Sequence, residues 1–194
     1  MMEVRRLSRS EAEAAFDELA RLRIVVFRDF PYLYEGDLDY ERDYLSTFLK
    51  SPGAVVIGAI DGSKLVGAAT ASPLADHFDE FGKPFIERGL DPASYFYFSE
   101  SVLEKEYRGQ GVGVRFFEER EKAAREQGFP SCVFSSVVRP EGHPMRPAGY
   151  QPLDAFWTKR GYSKIDGLVT EFSWKDIGEA EETAKPMQFW ARTF

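Results

Sequence analysis

Three glycines within five residues, Gly109, Gly111 and Gly113, separate the most strand-like stretch of the chain from the most helix-like one. Before them, Tyr95-Phe96-Tyr97-Phe98-Ser99-Glu100-Ser101-Val102-Leu103 is aromatic and β-prone, and predicts a central strand. After them, Val112, Phe116 and Ala123 share one helical face, with Phe117 and Ala124 a heptad apart beside it. Gly128 is positioned to end that helix. A strand entering a helix through such a turn exposes successive backbone N–H groups, and the helix N-terminus adds positive dipole. Missing Cβ atoms let the backbone approach phosphate oxygens closely. Arg108 and Arg115 add charge at the rim. The turn therefore predicts a pyrophosphate site.

Other phosphate-binding turns fit less well. A nucleoside-triphosphate loop ends in Gly-Lys-Ser/Thr, and neither lysine nor hydroxyl follows Gly113. A dinucleotide fingerprint spaces its glycines as Gly-x-Gly-x-x-Gly after a first strand, whereas these are evenly spaced after about the fourth. A tight strand–helix connection without a ligand stays open as the plain alternative.

Upstream, Met2 to Leu7 alternates as a first strand, and Ser10 with Glu13 predicts a capping box for a helix whose face holds Phe16, Leu19 and Leu22. Residues 28–44 are irregular and aromatic, ending in a helix that carries Tyr44, Leu45, Phe48 and Leu49 and stops at Ser51-Pro52-Gly53. Residues 54–60 and 65–71 make a hairpin about Asp61-Gly62. Residues 72–93, broken by Pro73, Gly82, Pro84, Gly89 and Pro92, read as an excursion loop. Downstream come a strand over 131–138, a proline-rich loop over 139–152 and a short helix over 153–160 ending at Gly161. Strands near 168–174 and 186–192 flank a charged connector. With strands and helices mixed around one sheet, residues 1–194 read as a single α/β or α+β domain.

The chain has 194 residues, 43% of them hydrophobic, enough to bury a core without disulfide or metal staples. Its 25 basic and 32 acidic residues leave a net charge of −7, which argues against a nucleic-acid partner, since duplex binding neutralises many phosphates. Cys132 is the only cysteine, so no internal disulfide is expected. His77 and His143 lie far apart with no cysteine partner, so no metal site is expected either. Met1 to Ser10 lacks the apolar core of a signal peptide, and no apolar run reaches the roughly 20 residues that span a membrane. The expectation is a cytoplasmic protein with no membrane partner.

Tyr107-Arg108-Gly109-Gln110-Gly111-Val112-Gly113 resembles the Arg/Gln-x-x-Gly-x-Gly/Ala acetyl-CoA motif of the GNAT N-acetyltransferase superfamily. The hairpin at 54–71, the strand before the motif and the long helix after it follow that family's order. Ala155-Phe156-Trp157-Thr158-Lys159-Arg160-Gly161-Tyr162 resembles the family's Leu-Tyr-Glu-Lys-Leu-Gly-Phe segment, so the resemblance covers nearly the whole chain. It implies a GNAT-like domain with a central mixed, mostly antiparallel sheet flanked by helices. It also implies a sheet splayed at its middle strands, with acetyl-CoA in the gap and CoA as product. The pyrophosphate would lie on the backbone N–H groups of Gln110, Gly111, Gly113 and Val114, in the turn that also contains Arg108 and Gly109. The strand end at Val102 and Leu103 would pair with the pantetheine arm.

Acetyl transfer to an amine requires the amine to lose a proton and the oxyanion to find a donor, and the departing thiolate benefits from a proton. Many relatives supply that last proton from a tyrosine on the final helix, at the position Trp157 occupies here. An indole N–H donates a hydrogen bond but is no acid at neutral pH. Trp157 is therefore grouped with the acceptor-binding residues, and Tyr150, seven residues earlier, becomes the candidate acid. Glu100, three residues before Leu103, is the candidate base, with a water relay as the alternative. The aromatic segment where the family roofs its acceptor pocket supplies Arg28, Tyr32 and Tyr34. The loop over 139–147 supplies Arg139, His143 and Arg146, whose guanidiniums suit a carboxylate or phosphate.

Together these residues suggest a small-molecule amine acceptor, amino-acid-like or bearing an anionic group. The resemblance implies direct N-acetyl transfer from acetyl-CoA in a ternary complex, and a homodimer as a common family assembly. The alternatives are a non-catalytic acyl-CoA-binding sensor, or an acyltransferase with another acyl donor or a hydroxyl acceptor.

Overall fold

Short-range pairing builds the first half of a sheet in the computed structural model, which describes residues 2–77 and 79–194. Strand β1 (Met2–Arg6) pairs antiparallel with β2 (Val55–Asp61), which turns through Gly62 into β3 (Lys64–Pro73). Gly62 has a φ of +62°, the left-handed conformation that the tight turn demands. β3 pairs antiparallel with β4 (Tyr95–Leu103). β5 (Ser131–Val137) lies parallel to β4, and β6 (Ser163–Trp174) with β7 (Thr183–Thr193) completes the order β1-β2-β3-β4-β5-β7-β6. A parallel pair needs a crossover, and α5 (Val112–Glu126) supplies it.

The other helices are α1 (Arg9–Ala14), α2 (Phe16–Phe27), α3 (Leu38–Phe48), α4 (Asp79–Glu87) and α6 (Asp154–Thr158). On one face, Leu19, Leu22, Leu45 and Phe48 pack with Val56, Ala68 and Val102, and Phe81 and Phe85 pack with Tyr97, Val133 and Phe189. On the other, Val112 and Phe116 pack with Val4, Ile57 and Val66, while Phe117 and Ala123 pack with Phe96, Phe98 and Phe134. Burial of each large side chain contributes about 1.5–3 kcal/mol, so the two layers hold α2, α3 and α5 firmly against the sheet. No helix among the described residues is long and apolar enough to cross a membrane.

Three elements differ from the pattern-based expectation. The capping box forms two residues early: Ser8 Oγ accepts from the Glu11 N–H, and the Glu11 carboxylate accepts from the Ser8 N–H. The stretch over 72–93 contains α4 despite Pro84 inside it. Proline cannot donate to the carbonyl four residues back, and here Thr170 Oγ1 donates to that Glu80 carbonyl at 2.6 Å instead. β6 begins at Ser163, with a register jump between Lys164 and Val169. The Gln188 amide donates to the Ile165 and Leu168 carbonyls across that interruption.

A bulge in β4 fixes the geometry of the site. Thr70 pairs with Glu100 while Ala71 pairs with Phe98, so Ser99 is the extra residue. Phe96 and Phe98 face α5, and strict alternation would send Glu100 the same way. The extra residue reverses the parity: Glu100 and Val102 face α2 and α3, and Ser101 and Leu103 face α5. Arg120 of α5, 1% exposed, braces the kink. Its Nη1 donates to the carbonyls of Thr70 (3.3 Å) and Glu100 (3.1 Å), and its Nη2 to Ser101 Oγ (2.8 Å). Its guanidinium lies 4.2 Å over the Phe98 ring, and burial lowers its pKa to about 10.

Candidate active site

Gly109 and Gly111 have φ values of +76° and +82°. A side chain there costs roughly 1–2 kcal/mol in backbone strain. A Cβ on either would meet no atom within 4 Å, so conformation and open approach, not packing, demand glycine. Gly113 differs: its Cβ would lie 3.3 Å from Phe156 Cζ. Gly111 is the N-cap of α5, and no side chain caps that terminus. Among the described residues, the N–H groups of Gln110, Gly111, Val112 and Gly113 reach no backbone carbonyl. The Val114 N–H turns back to the Gly111 carbonyl at 3.1 Å. Arg108 Nε donates to the Leu103 carbonyl at 3.1 Å, tying the turn to the end of β4. Arg115 reaches away, to the Val4 carbonyl at 2.9 Å.

The sheet opens beside this turn. β4 and β5 pair only at Tyr95–Ser131, Phe96–Cys132 and Tyr97–Val133. Beyond that point β5 follows β7 and β4 follows β3, so the edge of β4 from Phe98 to Leu103 faces a gap. Free N–H donors at a helix N-terminus, with an unpaired strand edge leading from them, fit a pyrophosphate that carries an extended amide arm. Ser99 Oγ is buried at the bulge without a hydrogen-bond partner among the described residues, an orphaned group that a ligand in the gap would satisfy.

A cavity of about 310 Å3 lies over the same gap. Tyr97, Ser99 and Glu100 of β4 and Ser135 of β5 line it, with Arg23 and Phe27 of α2 and Glu41 and Tyr44 of α3. Arg23 is shared between two carboxylates: it bonds Glu41 and lies 2.7 Å from Glu100. The Tyr34 hydroxyl donates to Glu41 at 2.8 Å, and the Tyr44 hydroxyl to Glu100 at 3.2 Å. Two buried carboxylates thus stand against one guanidinium, itself stacked 4.1 Å over Tyr44. Where β4 and β5 part, the Tyr97 hydroxyl and Ser135 Oγ are 2.9 Å apart. Burial raises the Tyr44 and Tyr97 phenols above their usual range and pushes Tyr32 up to about 12, so all three stay neutral. Burial lowers His77, on the same cavity, to about 4, leaving its imidazole uncharged near neutrality.

The glycine turn, the splayed strands and the order of elements agree with the match of residues 17–148 to the model of the acetyltransferase (GNAT) family. The chain belongs to the GNAT acetyltransferase family. Its fold is similar to that of a ribosomal-protein-alanine N-acetyltransferase from Brucella melitensis, with a TM-score of 0.64, 15% identity and 99% of each chain covered. It is also similar to an aminoglycoside 6'-N-acetyltransferase solved with coenzyme A, with a TM-score of 0.63 and 17% identity over 98% of this chain and 96% of that one. An acetyltransferase from Thermus thermophilus gives a TM-score of 0.59 and 15% identity, over 100% of this chain and 97% of that one. At these identities the likeness establishes the fold alone. Among curated proteins, none matches the chain.

Within this GNAT domain the residues singled out from sequence divide sharply. Glu100, Tyr32 and Tyr34 line the cavity, and Gly109, Gln110, Gly111 and Gly113 form the open turn at the end of β4. Tyr150 is not among the lining residues; its ring is edge-on to Phe30 at 4.8 Å, under Arg146 at 5.2 Å. Trp157 packs between Phe134 and Trp190 at 5.0 and 5.1 Å, a partly buried indole set against the edge of the core. His143 lines a separate recess with Arg139, and Arg28 is exposed at the end of α2.

Arg139, expected to meet an anionic part of the acceptor, is engaged within the chain. Arg139 makes a bidentate pair with Asp176 at 2.8 and 2.9 Å and donates to the Pro31 and Tyr32 carbonyls, which fixes the loop beneath the cavity. The cavity itself holds five carboxylates, Glu35, Asp37, Glu41, Glu100 and Glu182, against two cations, Arg23 and Lys175. Arg23, Glu41, Tyr44, Tyr97 and Arg120 are additions that sequence reasoning missed. A signal existed for the first two: Arg23 is four residues after Leu19 and Glu41 four before Leu45, charges on apolar helical stripes.

Proposed function

We propose that the chain transfers the acetyl group of acetyl-CoA directly to the amine of a compact acceptor, with both bound together. The observation that carries this reading is the buried Arg23–Glu41–Glu100 cluster, facing a cavity over the β4–β5 gap. An excess negative charge away from water is costly, and an ammonium group entering the cavity offsets that cost. A cavity of about 310 Å3 suits a small molecule more than a folded protein surface.

Acetyl-CoA supplies the acetyl group as an activated thioester. In this reading, the N–H groups of Gln110, Gly111, Val112 and Gly113 hold its pyrophosphate, with the Arg108 guanidinium nearby. The backbone at Val102 and Leu103 lines its extended arm. Glu100 orients the ammonium and takes its proton, which frees the nitrogen lone pair. Tyr44 and Arg23 hold the Glu100 carboxylate from the two sides. The neutral Tyr97–Ser135 hydroxyl pair stands at the gap as hydrogen-bond donor to the departing sulfur, in place of the phenol that Trp157 lacks, and the second proton shed by the acetylated nitrogen ends on the thiol.

Thiol release from acetyl-CoA with a panel of primary amines and matched alcohols tests the reading, with the acetylated product identified by mass spectrometry. Saturable, amine-dependent release with an N-acetyl product supports it. Release with the alcohols alone would make the chain an O-acyltransferase. Acetyl-CoA binding without release across the panel would make it an acyl-CoA-binding module.

A further inference from the structure

Resting on that reading of the cavity, the geometry points to an acceptor that carries a second positive charge beyond the nitrogen that reacts. The cavity is graded with depth. At its floor Glu41 is 0% exposed and Glu100 8%, with Arg23 shared between them. At its mouth stand Glu35, Asp37 and Glu182, all exposed and drawn from the segment before α3, the N-cap of α3 and the β6–β7 connector.

Lys175 answers Glu35 at 3.4 Å. Asp37 and Glu182 form no ion pair among the described residues; Asp37 Oδ1 accepts only the Tyr40 N–H, at 2.9 Å. Two separate centres of excess negative charge therefore exist, one buried and one at the rim.

Rings join the two ends: Phe27, Tyr32, Tyr40, Phe81, Phe172 and Trp174. Such walls pack against methylenes and attract cations through their faces. Both lining cations already hold carboxylates, so an anionic substituent on the acceptor would meet like charge. An elongated di- or polyamine meets every part of the cavity: one ammonium at Glu100, its methylenes on the rings, and a second ammonium at Asp37 and Glu182. A monoamine leaves the rim unanswered.

Binding of putrescine and n-pentylamine tests this, because the two match in length and differ in a terminal ammonium against a methyl. Titrating them into protein saturated with free CoA removes turnover from the readout. The wild type should bind putrescine roughly 10-fold more tightly at low ionic strength, as two exposed carboxylates can supply, with the preference shrinking as salt is added. Asp37→Asn with Glu182→Gln should cut the preference below about threefold; asparagine retains the helix cap, and CoA affinity reports an intact fold. Equal binding of the two amines to the wild type, or a preference that survives the double variant, overturns the inference. Equal binding of the two amines refutes only the second charge and leaves the amine-acceptor reading standing. If neither amine binds while CoA does, the amine-acceptor reading falls with it.

Discussion

The glycine turn follows the end of β4 and the charged cavity lies over the middle of that strand, and the two are built on opposite principles. The turn is local: six consecutive residues, two left-handed glycines and the N-terminus of α5 leave four N–H groups open. The cavity is assembled from distant pieces, with α2, α3, β4, β5 and the β6 region each contributing one to a few side chains. The turn uses backbone and needs the absence of side chains; the cavity uses charged side chains and needs their exact mutual placement. A backbone site tolerates drift elsewhere in the chain, whereas the ion cluster depends on the β4 bulge and on Arg120 behind it.

The turn is most exposed to change at Gly111. Gly111→Val places a β-branched side chain at φ +82° on the open side of the turn. It should weaken acetyl-CoA by roughly 100-fold or more, read by calorimetry, because strain and blocked N–H groups act together. Retained affinity would show that the turn is only a connection. Arg120→Met is the converse test, since Arg120 runs from the cofactor helix into the bulge that aims Glu100. Orphaning its acceptors should cost about 2–3 kcal/mol of stability, the relieved burial of the charge offsetting part of the loss. The kcat/KM for the amine should fall further than acetyl-CoA affinity does; equal losses would make Arg120 a core residue and nothing more.

Smaller effects sharpen the contrast. Tyr97→Phe should slow turnover by roughly 10-fold or more, whereas Trp157→Phe should stay within about threefold, because one hydroxyl stands at the gap and the indole packs against the edge of the core. The reverse order would return the hydrogen-bond donor to α6. His77 gives a pH signature. Its folded pKa of about 4 lies below the ordinary 6.5, so between those values the unfolded chain binds the extra proton. Stability contributed by the neutral imidazole is therefore full above about pH 6.5 and lost as pH falls towards 4, by about 2 kcal/mol with water admitted through the cavity. Denaturant titrations of wild type and His77→Gln should diverge across that window, and parallel curves would refute the assignment.

What could be read from the sequence follows the same division. Gly109 to Gly113 encode the turn in consecutive letters, and the strand–turn–helix around it with the hairpin at 54–71 was enough to expect this fold. The bulge carries no such letter: Ser99 is an ordinary strand residue, and only its pairing against Thr70 and Ala71 reverses the face of Glu100. α4 was hidden because Pro84 breaks a local rule that Thr170, 86 positions downstream of it, compensates. Arg139 is a related case: an arginine in a basic loop is also what a bidentate partner such as Asp176 selects. Its partner could not be inferred without the fold.

The pH–rate profile of Glu100→Gln, taken with acetyl-CoA affinity on the same protein, tests most directly whether a backbone site binds the cofactor while a charged cavity activates the amine. Affinity should be unchanged, turnover lowered by roughly 100-fold near neutrality as general-base loss allows, and activity recovered at high pH where the amine deprotonates unaided. An unchanged profile would remove Glu100 from the chemistry, and a parallel loss of acetyl-CoA affinity would contradict the separation of the two regions.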